Sequence, residues 1–165
     1  IVASPYRFQR LQTFLQPTND PLGSSYHIRQ ILISLGSGGL TGTGFGRSRQ
    51  KFQFLPEATT DSIFAVIGEE VGFIGATIVI AIYTTLIIRL LKIIPRIKTT
   101  YASLMLVGVV SWIGLQTALN LAAMVSLVPL TGVSLPLISY GGSSLVTTLA
   151  GIGLALNASK YRGRK

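Results

Sequence analysis

From Thr99 to Ser159 the chain carries no Asp, Glu, Lys, Arg or His, which makes sixty-one consecutive uncharged residues. A water-soluble domain needs charge interspersed across its surface, so this run excludes a soluble enzyme. It points to an all-α, polytopic integral membrane protein. Composition agrees: 48% of the 165 residues are hydrophobic and 12% charged, against about 25% charged in a soluble domain. Fourteen Lys+Arg stand against five Asp+Glu, but the basic residues sit at the edges of apolar runs, so the partner they imply is a lipid bilayer and no nucleic acid. With no cysteine, a disulfide scaffold and a thiolate metal site are excluded. Ile1 to Pro5 hold no Met and no basic leader, so the chain reads as part of something larger.

A helix needs about 20 apolar residues to cross roughly 30 Å of hydrocarbon. Three stretches qualify as full spans, 71–91, 102–127 and 137–157. Between the last two, the turn 128–136 holds Pro129, Gly132 and Pro136, which a helix cannot run through. Arg89, Lys92, Arg96 and Lys98 follow the first span, and Lys160, Arg162, Arg164 and Lys165 follow the third. Short basic loops stay cytoplasmic, and two spans separate the groups, so both fit inside. That sets the turn 128–136 outside, the segment 41–70 as a large extracytoplasmic loop, and 158–165 as a cytoplasmic tail. Residues 1–25 form a cytoplasmic loop. Between them, 26–40 repeats Ile28, Ile31, Leu32 and Leu35 at helical spacing, as a short or partly unwound N-terminal span; an interfacial amphipathic helix is the alternative.

The glycines at 36, 38, 39, 42, 44 and 46 do not make a phosphate loop: the spacing fails, and no Gly-Lys-Ser/Thr follows. A flexible, turn-rich loop is the plain reading, and contact of its basic residues with an anionic lipid head group the sharper one. Asp61 reads either as a helix N-cap or as a general base near the outer membrane surface. Glu69 and Glu70 read as favourable charge at a helix N-terminus. Gln116 and Asn120, one turn apart, read as interhelical hydrogen-bond glue. His27 is the only histidine, so neither a histidine-rich metal site nor a serine triad can be built. The segment Ser139-Tyr-Gly-Gly-Ser-Ser144 reads as small residues for close helix packing.

Three segments together resemble one family. They are Phe54-Leu-Pro-Glu-Ala-Thr-Thr-Asp61-Ser-Ile-Phe-Ala-Val-Ile-Gly-Glu-Glu-Val-Gly-Phe-Ile-Gly75, Leu135-Pro-Leu-Ile-Ser-Tyr-Gly-Gly-Ser-Ser144 and Asp20-Pro-Leu-Gly-Ser-Ser-Tyr-His-Ile-Arg-Gln30. The likeness is to the SEDS family (FtsW, RodA, SpoVE) of bacterial cell-wall proteins, and it runs from about Tyr6 to Asn157. Gly68-Glu-Glu70 looks more like the division and sporulation members. The resemblance implies the C-terminal portion of a multi-pass protein of the cytoplasmic (inner) membrane, with its C-terminus cytoplasmic. It implies a peptidoglycan glycosyltransferase that polymerises lipid II into β-1,4-linked glycan strands, in cell division or cell-shape maintenance. Asp61 matches the family's essential aspartate, so the resemblance makes it the catalytic base.

The leaving pyrophosphate needs positive charge, from Arg47, Arg49, Lys51 or a divalent cation such as Mg or Mn. Glu57, Ser139, Tyr140, Gly141 and Gly142 complete the expected substrate-binding set; no metal-ligating residue is expected. Implied partners are lipid II, a class B penicillin-binding protein (the transpeptidase) and other divisome or elongasome membrane proteins. Thr131 and Gln53 depart from some division-type members, which carry Lys and Glu there. The fragment alone is expected to be inactive. A lipid II flippase, which needs a polar path through the membrane, and a non-catalytic scaffold for a transpeptidase remain as alternatives.

Overall fold

The computed structural model describes residues 24–48 and 59–160. Within them the regular elements are helices: α1 (Ser24–Ser37), α2 (Ile63–Ile93), a 3-10 turn (Ile94–Arg96), α3 (Thr100–Met124) and α4 (Gly142–Lys160). Helix α2 packs against α1 and α3, and α3 packs against α4. One apolar cluster gathers Ile31, Phe64, Val66, Tyr83, Met124 and Leu135. A second, formed by Leu90, Leu106, Val110 and Ala155, sits where α2 ends and α3 begins. The outward faces keep large apolar side chains exposed, among them Phe73, Ile82, Leu104, Leu115, Val146 and Leu156. Among the described residues, α2 and α3 are long and apolar enough to cross a membrane.

The expected helix limits shift for local reasons. Helix α4 starts at Gly142, later than the expected 137, because Leu137 takes a positive φ of 66° and the Ser139 hydroxyl accepts the Leu135 amide at 2.7 Å. A turn therefore occupies the first residues of the expected span. Helix α3 stops at Met124 because Ser126 turns to a φ of 57°. The largest difference is in α2, which begins at Ile63, inside the segment expected to be loop.

Helix α2 is also broken. Gly72 has φ 74° and ψ −171°, so 63–71 and 73–93 are two helical pieces. The second alone rises about 30 Å at 1.5 Å per residue. A break strips carbonyls before it and amides after it of their helical partners, and buried groups left so are costly. Here the glycine-rich loop supplies the partners. The Thr43 and Gly44 amides donate to the Glu69 and Glu70 carbonyls at 2.9 and 3.0 Å. The Phe73 and Ile74 amides donate to the Gly39 and Leu40 carbonyls at 2.9 and 3.2 Å. The two backbones touch: a Cβ on Gly72 would lie 2.3 Å from the Gly42 nitrogen, and one on Gly42 would lie 2.2 Å from the Glu70 oxygen. Residues 39–44, expected to be flexible, are instead a plug fitted into a helix break.

Candidate functional site

The segment 59–62, just ahead of α2, is held from three sides. From α1, His27 Nε2 lies 2.9 Å from the Ser62 hydroxyl. From α3, the Asn120 side-chain amide donates to the Asp61 backbone carbonyl at 2.9 Å. From the turn ahead of α4, the Tyr140 amide donates to the Thr59 carbonyl at 2.8 Å. Asp61 is buried, 5% exposed, and the Thr60 hydroxyl reaches its Oδ1 at 3.3 Å. The N-cap of α2 is Ser62, whose side chain makes no capping bond. Asp61 is therefore not the helix cap that one reading of the sequence allowed.

The 133–139 turn is fastened to the same region. Asn120 donates its second hydrogen to the Val133 carbonyl at 2.7 Å. Gln116, four residues earlier on α3, donates to the Ser134 carbonyl at 2.9 Å, and the Ser134 and Ser144 hydroxyls lie 3.1 Å apart. The Tyr83 hydroxyl, on α2, donates to the Pro136 carbonyl. The expected interhelical glue thus bonds loop backbone rather than facing helices. An apolar helix carrying an isolated amide does signal such a bond; it does not name the partner.

The structure brings some expected site residues together and separates others. The Tyr140 backbone meets the Asp61 segment, and its side chain is 80% exposed. Ser139 is buried with its hydroxyl spent inside its own turn. Gly141 and Gly142 stand at the head of α4, where the Leu145 amide donates to the Gly141 carbonyl at 2.9 Å. Arg47 lies elsewhere, in the wall of a cavity of about 380 Å³ shared with Ser37, Thr43 and Glu69. Asp61 does not line it. Arg49, Lys51 and Glu57 lie outside the described residues.

Glu69 is a residue whose role the sequence reading missed. It is 3% exposed, and its Oε2 accepts the Ser48 hydroxyl at 2.6 Å and the Ser34 hydroxyl at 3.1 Å. It sits within α2 and ties α1 and the glycine loop to the break. Among the described residues no three His, Cys, Asp or Glu gather to hold a metal ion.

Residues 1–164 match the family model FTSW_RODA_SPOVE, described as "Cell cycle protein". Stage V sporulation protein E of Bacillus subtilis (strain 168) is 44% identical over 161 residues, covering 98% of this chain and 44% of that protein. A probable peptidoglycan glycosyltransferase FtsW of Thioalkalivibrio sp. (strain K90mix) is 47% identical over 156 residues, covering 93% of this chain and 39% of that one. A chain solved in a peptidoglycan synthase complex, studied for its coordination of polymerization and crosslinking, superimposes with a TM-score of 0.73 at 32% identity. That match covers 99% of this chain and 44% of the other. The chain thus spans less than half the length of the relatives it matches.

Proposed function

The chain belongs to the FtsW/RodA/SpoVE family, and from that premise we propose that it forms the C-terminal part of a membrane-embedded peptidoglycan glycosyltransferase that polymerises lipid II. The observation that carries the reading is the placement of Asp61. Its carboxylate belongs to a family-matched segment that α1, α3 and the turn ahead of α4 all hold in place.

In this reading α2, α3 and α4 cross the bacterial cytoplasmic membrane, α1 reaches part of the way, and Asp61 lies at its outer surface. The 4-hydroxyl of one lipid-linked GlcNAc attacks the anomeric carbon of the MurNAc at the end of the growing strand. Asp61 takes the hydroxyl proton as the new C–O bond forms, and undecaprenyl pyrophosphate leaves as the old one breaks. A held base contributes by orientation, which suits a segment tied at Thr59, Asp61 and Ser62. Arg47, in the wall of a cavity that Asp61 does not line, is assigned to the pyrophosphate or to a lipid head group. The partners of the reading are lipid II and a class B penicillin-binding protein.

The experiment uses the full-length protein with its transpeptidase partner and labelled lipid II. Glycan polymer is compared between wild type and Asp61→Asn, both shown to be folded. Polymer from wild type alone is expected. Equal polymer from both removes Asp61 from the chemistry, and none from either favours a flippase or a scaffold.

A further inference from the structure

Asn120 is 1% exposed on α3, and its position rests on more than helix packing. Both hydrogens of its amide go to backbone carbonyls of two separate non-helical segments: that of Asp61 at 2.9 Å and that of Val133 at 2.7 Å. Its own Oδ1 is buried with no partner among the described residues. An apolar side chain would fill the same space without leaving a buried acceptor unpaired, so the feature that distinguishes Asn here is its paired donation. The carbonyl it holds belongs to Asp61 itself, and fixing that carbonyl limits how the residue can rotate and where its carboxylate points. The second carbonyl belongs to the turn that leads to Tyr140, whose amide returns to Thr59. One side chain therefore sets the spacing between the Asp61 segment and the 133–142 segment.

We propose that Asn120 is a positioning residue for Asp61, holding its carboxylate in register with the turn that opens α4. The proposal rests on Asp61 being the base of the reaction. Asn120 touches no reacting atom in it; it acts through the backbone of the residue that does.

The test uses the full-length protein with its transpeptidase partner in liposomes, assayed with lipid II. Asn120→Ala removes both donors, and Asn120→Asp keeps the size while replacing the donating amide. Misplacing a catalytic group by a fraction of its reach lowers turnover strongly. Each variant is expected to lose about 10- to 100-fold in kcat, with KM for lipid II within about twofold of wild type. A readout independent of activity comes from an introduced cysteine pair, since these 165 residues hold no cysteine and any in the rest of the full-length protein are replaced beforehand. A Thr59→Cys, Tyr140→Cys pair should form a disulfide readily, and more slowly once Asn120→Ala is added.

A kcat within about twofold of wild type in folded variants overturns the proposal. So does a loss in which kcat, lipid II binding and thermal stability fall together, because that is packing alone. If Asn120→Ala does not fold, the near-isosteric Asn120→Asp decides. Asp61→Asn runs in the same series: if it keeps wild-type polymerisation, the base reading fails, while the cysteine pair still reports whether Asn120 holds the two segments.

Discussion

Glu69 and Glu70 are chain neighbours with different surroundings. The first is buried and accepts two serine hydroxyls, Ser34 and Ser48; the second is half-buried, its Oε1 without a partner among the described residues. As adjacent acids before an apolar run they looked alike, because a sequence gives their spacing and not the residues that come to meet them. Ser34 is thirty-five positions upstream of Glu69. Glu69→Ala should therefore cost about 2–4 kcal/mol of stability, since it removes the buried carboxylate that Ser34 of α1 and Ser48 of the loop both donate to. Glu70→Gln should cost less than about 1 kcal/mol. Thermal unfolding of the full-length protein in detergent separates the two. Tyr83→Phe belongs with the first: it strips the Pro136 carbonyl of its donor and should cost about 1–2 kcal/mol. Asn120 was legible as a polar residue in an apolar helix, but its partners were not, one lying fifty-nine residues before it and one thirteen after.

Among the elements, α2 shows most clearly what a hydropathy pattern conceals. Val71 to Ile88 has no charge to interrupt it, so it reads as one unbroken span. The positive φ of Gly72 is imposed by a loop some thirty residues upstream, which no local window contains. The ends of α3 and α4 were nearly legible because prolines, glycines and serines mark them. The start of α2 was not, because 63–70 is apolar enough to suit either a helix or a shielded loop. The break predicts an asymmetry among glycines. Gly72→Ala forces a side chain against the Gly42 backbone in a conformation L residues avoid, and should cost at least about 3 kcal/mol or prevent folding. Gly153→Ala, in α4 with open space around its Cα, should be neutral or stabilise by about 0.5–1 kcal/mol. Yield and melting temperature of the two variants check the contrast.

For the molecule as a whole, the charge-free run was enough to indicate a helical membrane architecture, and three quoted segments were enough to indicate the family. The basic clusters oriented the proposed spans, and the orientation is open to a direct test. Phe45 is 84% exposed beside the break, and Lys160 is exposed at the end of α4. With any cysteine outside these 165 residues replaced, Phe45→Cys in the full-length protein should react with a membrane-impermeant maleimide added outside intact spheroplasts. Lys160→Cys should react only after lysis. Ser62 would be a poor label site, being fully buried. The fitted loop in the helix break also bears on the order of synthesis. Residues 38–44 precede Gly72 by about thirty positions. At roughly 5–20 residues per second, they leave the ribosome about 1.5 to 6 seconds before the glycine they cover. The stripped amides and carbonyls thus meet a partner already made. A chain cut between Ser48 and Thr59 tests that timing. The downstream piece expressed alone should be cleared by membrane proteases, and expressing the upstream piece beforehand should protect it.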